Sequence, residues 1–292
     1  MEKRTLSGVL FDSINYIVLA ALMVVTIYPL LYVFLASVSE PSEILSHSGP
    51  LWKPLGFTFL AYKKVFENPM ILTGYINTIT YVVLGLGFNL VLTSLGAYGL
   101  SRPQIKYRRQ ITLFIVFTMF FSGGLIPFYL IVKGVGLNNT LWALVLPTAI
   151  STFNLMIMRT SFAAIPVSLE ESARIDGAND IVILTRIILP LSLPVIAVMT
   201  LYYGVSHWNS WFNAMIFLND RSQYPLQLIL REILIQNDTS AMTAGLDVGQ
   251  STIVSETIKY ATIIVATVPI LLVYPFLQKY FVKGALIGAV KG

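Results

Sequence analysis

An all-α membrane protein is the fold class this sequence predicts, and three observations predict it. The 292 residues are 56% hydrophobic and only 11% charged, with a mean hydropathy of +0.76. Soluble domains carry about 25% charged residues, and no single water-soluble core could hide this much apolar surface. The apolar runs are long and continuous rather than alternating, which is the pattern of spanning helices and not of strands. The basic residues are also unevenly placed. Twelve of the 19 lysines and arginines fall in the terminal segments, in residues 101–110 and around residues 159–186, and seven fall in the intervening segments. Cytoplasmic loops carry the excess of Lys and Arg, so both ends are expected in the cytoplasm.

Six spans are expected within one transmembrane domain, residues 1–292. The first runs over about 14–36. It is too long for a signal-peptide core and has no A-x-A site after it, so it reads as a retained helix, kinked at Tyr28-Pro29. Residues 37–74 hold four prolines and read as a polar loop with little regular structure. The second span, 75–100, contains Gly85, Gly87, Gly96 and Gly99, which let helices approach closely. Its amides, Asn77 and Asn89, need partners from other helices or from water, and interhelical bonding is the plainer expectation. Residues 101–110 hold Arg102, Lys106, Arg108 and Arg109 with no acid. The third span, 111–132, is interrupted by Gly123-Gly124 and Pro127, and the fourth, 140–161, contains Pro147 and Asn154.

The next segment, 168–190, is polar. Ser168 followed by Glu171 is a capping-box pattern that starts a helix. Gly177 can take the left-handed conformation that ends one, and Asp180 can cap a second helix returning towards the bilayer. A helix–glycine–helix elbow is therefore expected on the membrane surface. The fifth span, 191–218, carries H-W-N-S-W-F-N-A towards its far end. An outer loop, 219–257, is long for a simple connection and should hold some helix at 225–235. The sixth span is 258–277.

The elbow carries a resemblance. Glu171-Ser172-Ala173, then Gly177, Ile187 and Leu189-Pro190 at their fixed spacing resemble the EAA loop of ATP-binding-cassette (ABC) importer permeases. Ser172 stands where that family usually has alanine. F-S-G-G-L-I-P at 121–127, G-L-N-N-T-x-W at 136–142 and the closing K-G-A-L-I-G-A-V-K-G extend the likeness to carbohydrate importers of the MalG type, in the LplC/YtcP branch. That branch is associated with oligosaccharide and polysaccharide uptake, alginate importers among them. The resemblance implies the type I ABC importer permease fold and a place in the cytoplasmic (inner) membrane. It implies a second permease chain, a dimer of ABC ATPases, an extracytoplasmic solute-binding protein and a carbohydrate substrate. Glu171, Ser172, Ala173, Asp176 and Gly177 would be the ATPase-coupling surface. The 219–257 loop would meet the binding protein, and the C-terminal tail would reach the ATPase dimer.

Trp208, Asn209, Trp211 and Asn213 are residue types that hold sugars, since aromatic faces stack on sugar C–H faces and amides bond hydroxyls. They equally fit an interfacial aromatic belt. Enzymatic readings find no support. There is no cysteine, no phosphate-binding loop and no paired-acid or Ser/His/Asp constellation within the spans, and His47 and His207 lie far apart. No metal site, no cofactor on this chain and no nucleic-acid partner are expected, with ATP and Mg on the partner ATPases. No charge lies mid-span, which fits energy supplied by another subunit. Two alternatives stay open: a permease for a non-sugar solute, and a channel or scaffold without ATPase partners.

Overall fold

A computed structural model describes residues 6–235, 240–243 and 248–289. The described chain is helical, with one isolated β-bridge between Ser39 and Phe57. It divides into two units, residues 1–69 with 232–268, and residues 70–231 with 269–292.

In the first unit, α1 (Leu6–Ser37) runs as one helix through Pro29. Its side chains from Val9 to Phe34 are largely exposed apolar groups, as befits a helix whose solvent is lipid. Only its end is packed: Leu35 and Ala36 join Ile44 and Leu51 in a small core edged by Tyr32, Leu55 and Tyr260. Residues 37–74 are not the irregular loop the prolines suggested. They form α2 (Pro41–Ser46) and α3 (Leu60–Glu67), and Pro69 opens the next helix. Pro41 and Pro69 start helices because the first turn has no use for their missing N–H. Between the helices, Glu40 N donates to Leu55 O at 2.8 Å, Leu55 N to Ser39 Oγ at 3.0 Å, and Leu51 N to the Tyr28 hydroxyl at 2.9 Å.

The second unit is organised on α4 (Pro69–Ser101), of which Met70 onwards belongs to it. Both intramembrane amides have partners, and these are carbonyls of the turns between helices rather than groups of a neighbouring helix. Asn77 Nδ2 donates to the carbonyls of Ser222 at 2.7 Å and Tyr224 at 3.1 Å. Asn89 Nδ2 donates to those of Thr148 at 2.7 Å and Ala149 at 2.8 Å. Of the glycines on this helix, Gly74 and Gly85 are where close approach is required: a β-carbon would lie 2.6 Å from Ile229 Cδ1 at the first and 2.4 Å from His207 Nε2 at the second. Gly87 and Gly99 face open space, so close packing is not their role.

The third expected span is two helices, α5 (Arg108–Phe120) and α6 (Leu125–Gly134), meeting at 115°. Gly124 makes the break with φ 88° and ψ 174°, a region open essentially to glycine alone. The fourth, 140–161, divides into α7 (Trp142–Val145) and α8 (Thr152–Ala163), with Pro147 between them. After α9 (Val167–Ile175) comes α10 (Asp180–Leu191), which carries a π-helical stretch at Leu184–Ile188. It meets α11 (Leu193–Trp208) at 86°. Pro194 lacks the N–H that would continue the ladder across Ser192, so the bend falls there. Then follow α12 (Phe212–Phe217) and α13 (Leu226–Ile235), and α14 (Ser240–Thr243) and α15 (Val248–Ala289) complete the chain. The last helix starts ten residues before the expected sixth span. Among the described residues, three unbroken helices and two bent pairs thus have the length and apolarity to cross a membrane.

Two turns of this unit are stapled together. Asn139, left-handed at φ 57°, donates its N–H to Phe217 O at 2.8 Å, and its Oδ1 accepts from Asn219 N at 2.9 Å. Next to it the Ser222 N–H bonds the Asp220 carboxylate and holds its pKa below the ordinary value. Residues 236–239 and 244–247 of the expected outer loop, and 290–292 of the tail, lie outside the described residues.

Candidate functional site

The elbow forms, with different caps from those expected. Pro166 takes the N-cap position of α9 and makes no side-chain bond, which corrects the Ser168–Glu171 capping box. Starting at Val167 puts Ser168 inside the first turn, where its carbonyl accepts the Ser172 hydroxyl at 2.9 Å. The helix ends at Gly177, with φ 83°. Gly177 N donates to Arg174 O at 3.0 Å and Ala178 N to Ala173 O at 2.9 Å, the two bonds of a Schellman turn. Asn179, not Asp180, caps the second arm: its Oδ1 accepts from Val182 N at 2.9 Å. Asp180 is instead paired with Arg174, a bond that pushes the guanidinium pKa further up.

The elbow has two faces. Ala173 and Ala178 pack against a core of Tyr98, Leu155, Phe162, Ile183 and neighbouring side chains. Glu171, Ser172, Asp176 and Gly177 lie on the exposed face. Beside them Ile175, a large apolar side chain, is 87% exposed. Of the five expected coupling residues, four therefore share an open surface and Ala173 seats it from behind.

The expected substrate-path residues divide. Asn209, Trp211 and Asn213 line one cavity of about 220 Å³, together with Thr148, Ser206 and His207. The last three also line a larger cleft of about 720 Å³, whose wall includes Phe153, Asn154 and Tyr202. Trp208 lies outside both linings. Its ring meets Tyr75 at 6.3 Å, and its indole N–H is buried without a hydrogen-bond partner. His207 is buried, and its Nε2 lies 2.7 Å from Asn89 Oδ1. Because the Asn89 amide nitrogen donates to two carbonyls, its oxygen is the acceptor and His207 Nε2 the donor. The Arg231 guanidinium sits 5.0 Å over the Trp211 ring.

Residues 110–286 match the family described as binding-protein-dependent transport system inner membrane component. The chain belongs to this family. It is 44% identical to the polygalacturonan/rhamnogalacturonan transport system permease protein YtcP of Bacillus subtilis (strain 168), over 97% of this chain and 99% of that one. It is also 44% identical to protein LplC of the same organism, over 99% and 97%. In structure it resembles a chain of a bacterial ABC transporter involved in the import of the acidic polysaccharide alginate, with a TM-score of 0.88, 33% identity, and coverage of 96% of this chain and 100% of that one.

Two residues of this inner-membrane component escaped the sequence reading. Glu170, next to the motif's Glu171, is turned inward and forms a buried ion pair with Arg102. One signal was available, since Glu170 precedes Ala173 by three and so shares its face of the helix. Arg231 lies in the helix expected at 225–235, but only the folded chain brings it to Trp211.

Proposed function

We propose that this chain is a membrane-spanning subunit of an ATP-driven importer of acidic oligosaccharide or polysaccharide. The observation that carries the proposal is the elbow, where the exposed residues Glu171, Ser172, Ile175 and Asp176 lead into the left-handed Gly177. A small polar rim around an exposed isoleucine is a docking surface for a protein cleft, and the ATPase is its occupant. Near full-length likeness to a polygalacturonan/rhamnogalacturonan permease and to an alginate importer's chain supports the substrate class. So does Arg231 over Trp211, which supplies a cation and an aromatic face beside the amides Asn209 and Asn213.

In this reading ATP and Mg bind the partner ATPases, and this chain makes and breaks no bonds. Closure of the ATPase dimer pushes the elbow, the helices reorient, and sugar access passes from the outer to the inner side. Both termini and the elbow face the cytoplasm, in keeping with the excess of Lys and Arg there. A second, different permease chain completes the pathway, and a solute-binding protein delivers sugar to the 219–257 segment.

Purification of the tagged chain from native membranes in mild detergent, with mass spectrometry of its companions, tests this. An ATPase and a second permease are expected, with ATP hydrolysis stimulated by binding protein loaded with oligogalacturonate more than by neutral oligosaccharide. A chain recovered alone after gentle cross-linking would favour a channel or scaffold. Stimulation by peptide or phosphate, and by no sugar, would move the reading to a non-sugar solute.

A further inference from the structure

The back of the elbow is tied to the end of α4 by polar side chains buried where apolar ones would pack as well. Arg102 and Glu170 form an ion pair with side chains only 8% and 5% exposed. Arg102 immediately follows α4, and Glu170 lies in α9, the first arm of the elbow. The same guanidinium stacks over the Tyr98 ring at 4.8 Å and donates through Nη2 to Phe162 O in the last turn of α8 at 3.4 Å. The Tyr98 hydroxyl in turn donates to Asp180 Oδ1, at 3.4 Å, in the second arm. Asp180 is itself paired with Arg174 in the first arm.

Tyr98 and Arg102 are four residues apart, so they project from one side of the helix end. From that side Arg102 reaches the arm before Gly177 and Tyr98 the arm after it. A buried ion pair is a poor source of stability, because desolvating two charges offsets most of their attraction. Its strength is geometric. The guanidinium fork fixes direction, and a misregistered neighbour leaves a charge unpaired in the interior. Apolar contacts, by contrast, slide at little cost.

We propose that Arg102 and Glu170, with Tyr98, are positioning residues that fasten both arms of the elbow to α4, so that elbow and helix move as one body. Displacement of the exposed rim is then delivered to a 33-residue span directly, instead of being absorbed by a loose surface helix. This rests on the reading of the elbow as the ATPase contact.

The absence of cysteine makes a direct test possible. The double variant Arg102→Cys/Glu170→Cys is assembled with the partner subunits in proteoliposomes, and sugar transported per ATP hydrolysed is measured before and after a short bis-thiol cross-linker. The wild-type chain is treated identically. Without cross-linking, transport per ATP should fall by roughly 2- to 30-fold, the span seen for residues that carry coupling. Cross-linking should restore it, because a covalent strap replaces the ion pair. Full coupling without the cross-linker would overturn the proposal, as would loss of the residual transport on cross-linking, which would mean that elbow and α4 slide past each other during the cycle. Tyr98→Phe removes one hydroxyl and keeps the ring under Arg102, so it tests the second arm in a folded protein. A fall in transport per ATP at preserved hydrolysis is expected, and an unchanged ratio would overturn the two-armed grip. Failure of the wild-type complex to hydrolyse ATP in response to any sugar would instead sink the importer reading itself.

Discussion

Gly177 is the residue on which the elbow turns. Its φ of 83° is costly for any side chain, yet nothing lies within 4 Å of where a β-carbon would stand. Substitution therefore acts through the backbone alone, at about 1–2 kcal/mol, and the elbow changes course rather than clashing. Gly177→Asp should leave the protein folded and inserted while transport per ATP falls by about tenfold or more. Full coupling in that variant would remove the elbow from the mechanism. Arg231 is the second test at this scale. Arg231→Gln should weaken stimulation by acidic oligosaccharide several-fold and leave any neutral sugar response unchanged, read as the half-saturating concentration in proteoliposomes. Equal losses for both would make the Arg231–Trp211 contact a packing feature. Residues also mark where sequence reasoning stopped short. Ser168 and Glu171 satisfy a capping pattern, but Pro166 starts the helix and so decides which acid points inward. One residue of register makes Glu170 the buried partner and leaves Glu171 on the exposed rim.

At the scale of elements, the breaks were more legible than the lengths. Gly123-Gly124 and Pro127 marked the 115° bend between α5 and α6, because only glycine reaches the Gly124 conformation. Gly124→Ala should lower the unfolding temperature of the detergent-solubilised chain, in line with a strain of about 1–3 kcal/mol. An unchanged temperature would mean that the bend relaxes without cost. The segment 37–74 misled because four prolines read as breakers, and two of them begin helices instead. The early start of α15 at Val248 escaped notice because residues 248–257 are polar, and hydropathy locates only the apolar part of a helix. The 86° bend at Ser192 falls beside the expected boundary between elbow and fifth span at 190–191, with Pro190 and Pro194 flanking it.

For the whole molecule, charge and apolarity were enough to fix the class, and a spaced motif of about twenty residues was enough to find the family. Which side chains meet across the fold was not available from either. The cation over Trp211, the Asn89–His207 bond and the Arg102–Glu170 pair each join residues more than 15 positions apart. In the proposed importer, the exposed face of the elbow is where the ATPase binds. Ile175, a large apolar side chain open to its surroundings, lies on that face and outside the buried network. Ile175→Cys, in a chain with no other cysteine, carries a photoactivatable thiol-linked probe in native membranes, and the adduct is identified by mass spectrometry. An adduct with an ABC ATPase is expected, its yield changing when ATP is added. An adduct only with lipid or with another membrane chain, at any nucleotide condition, would contradict it.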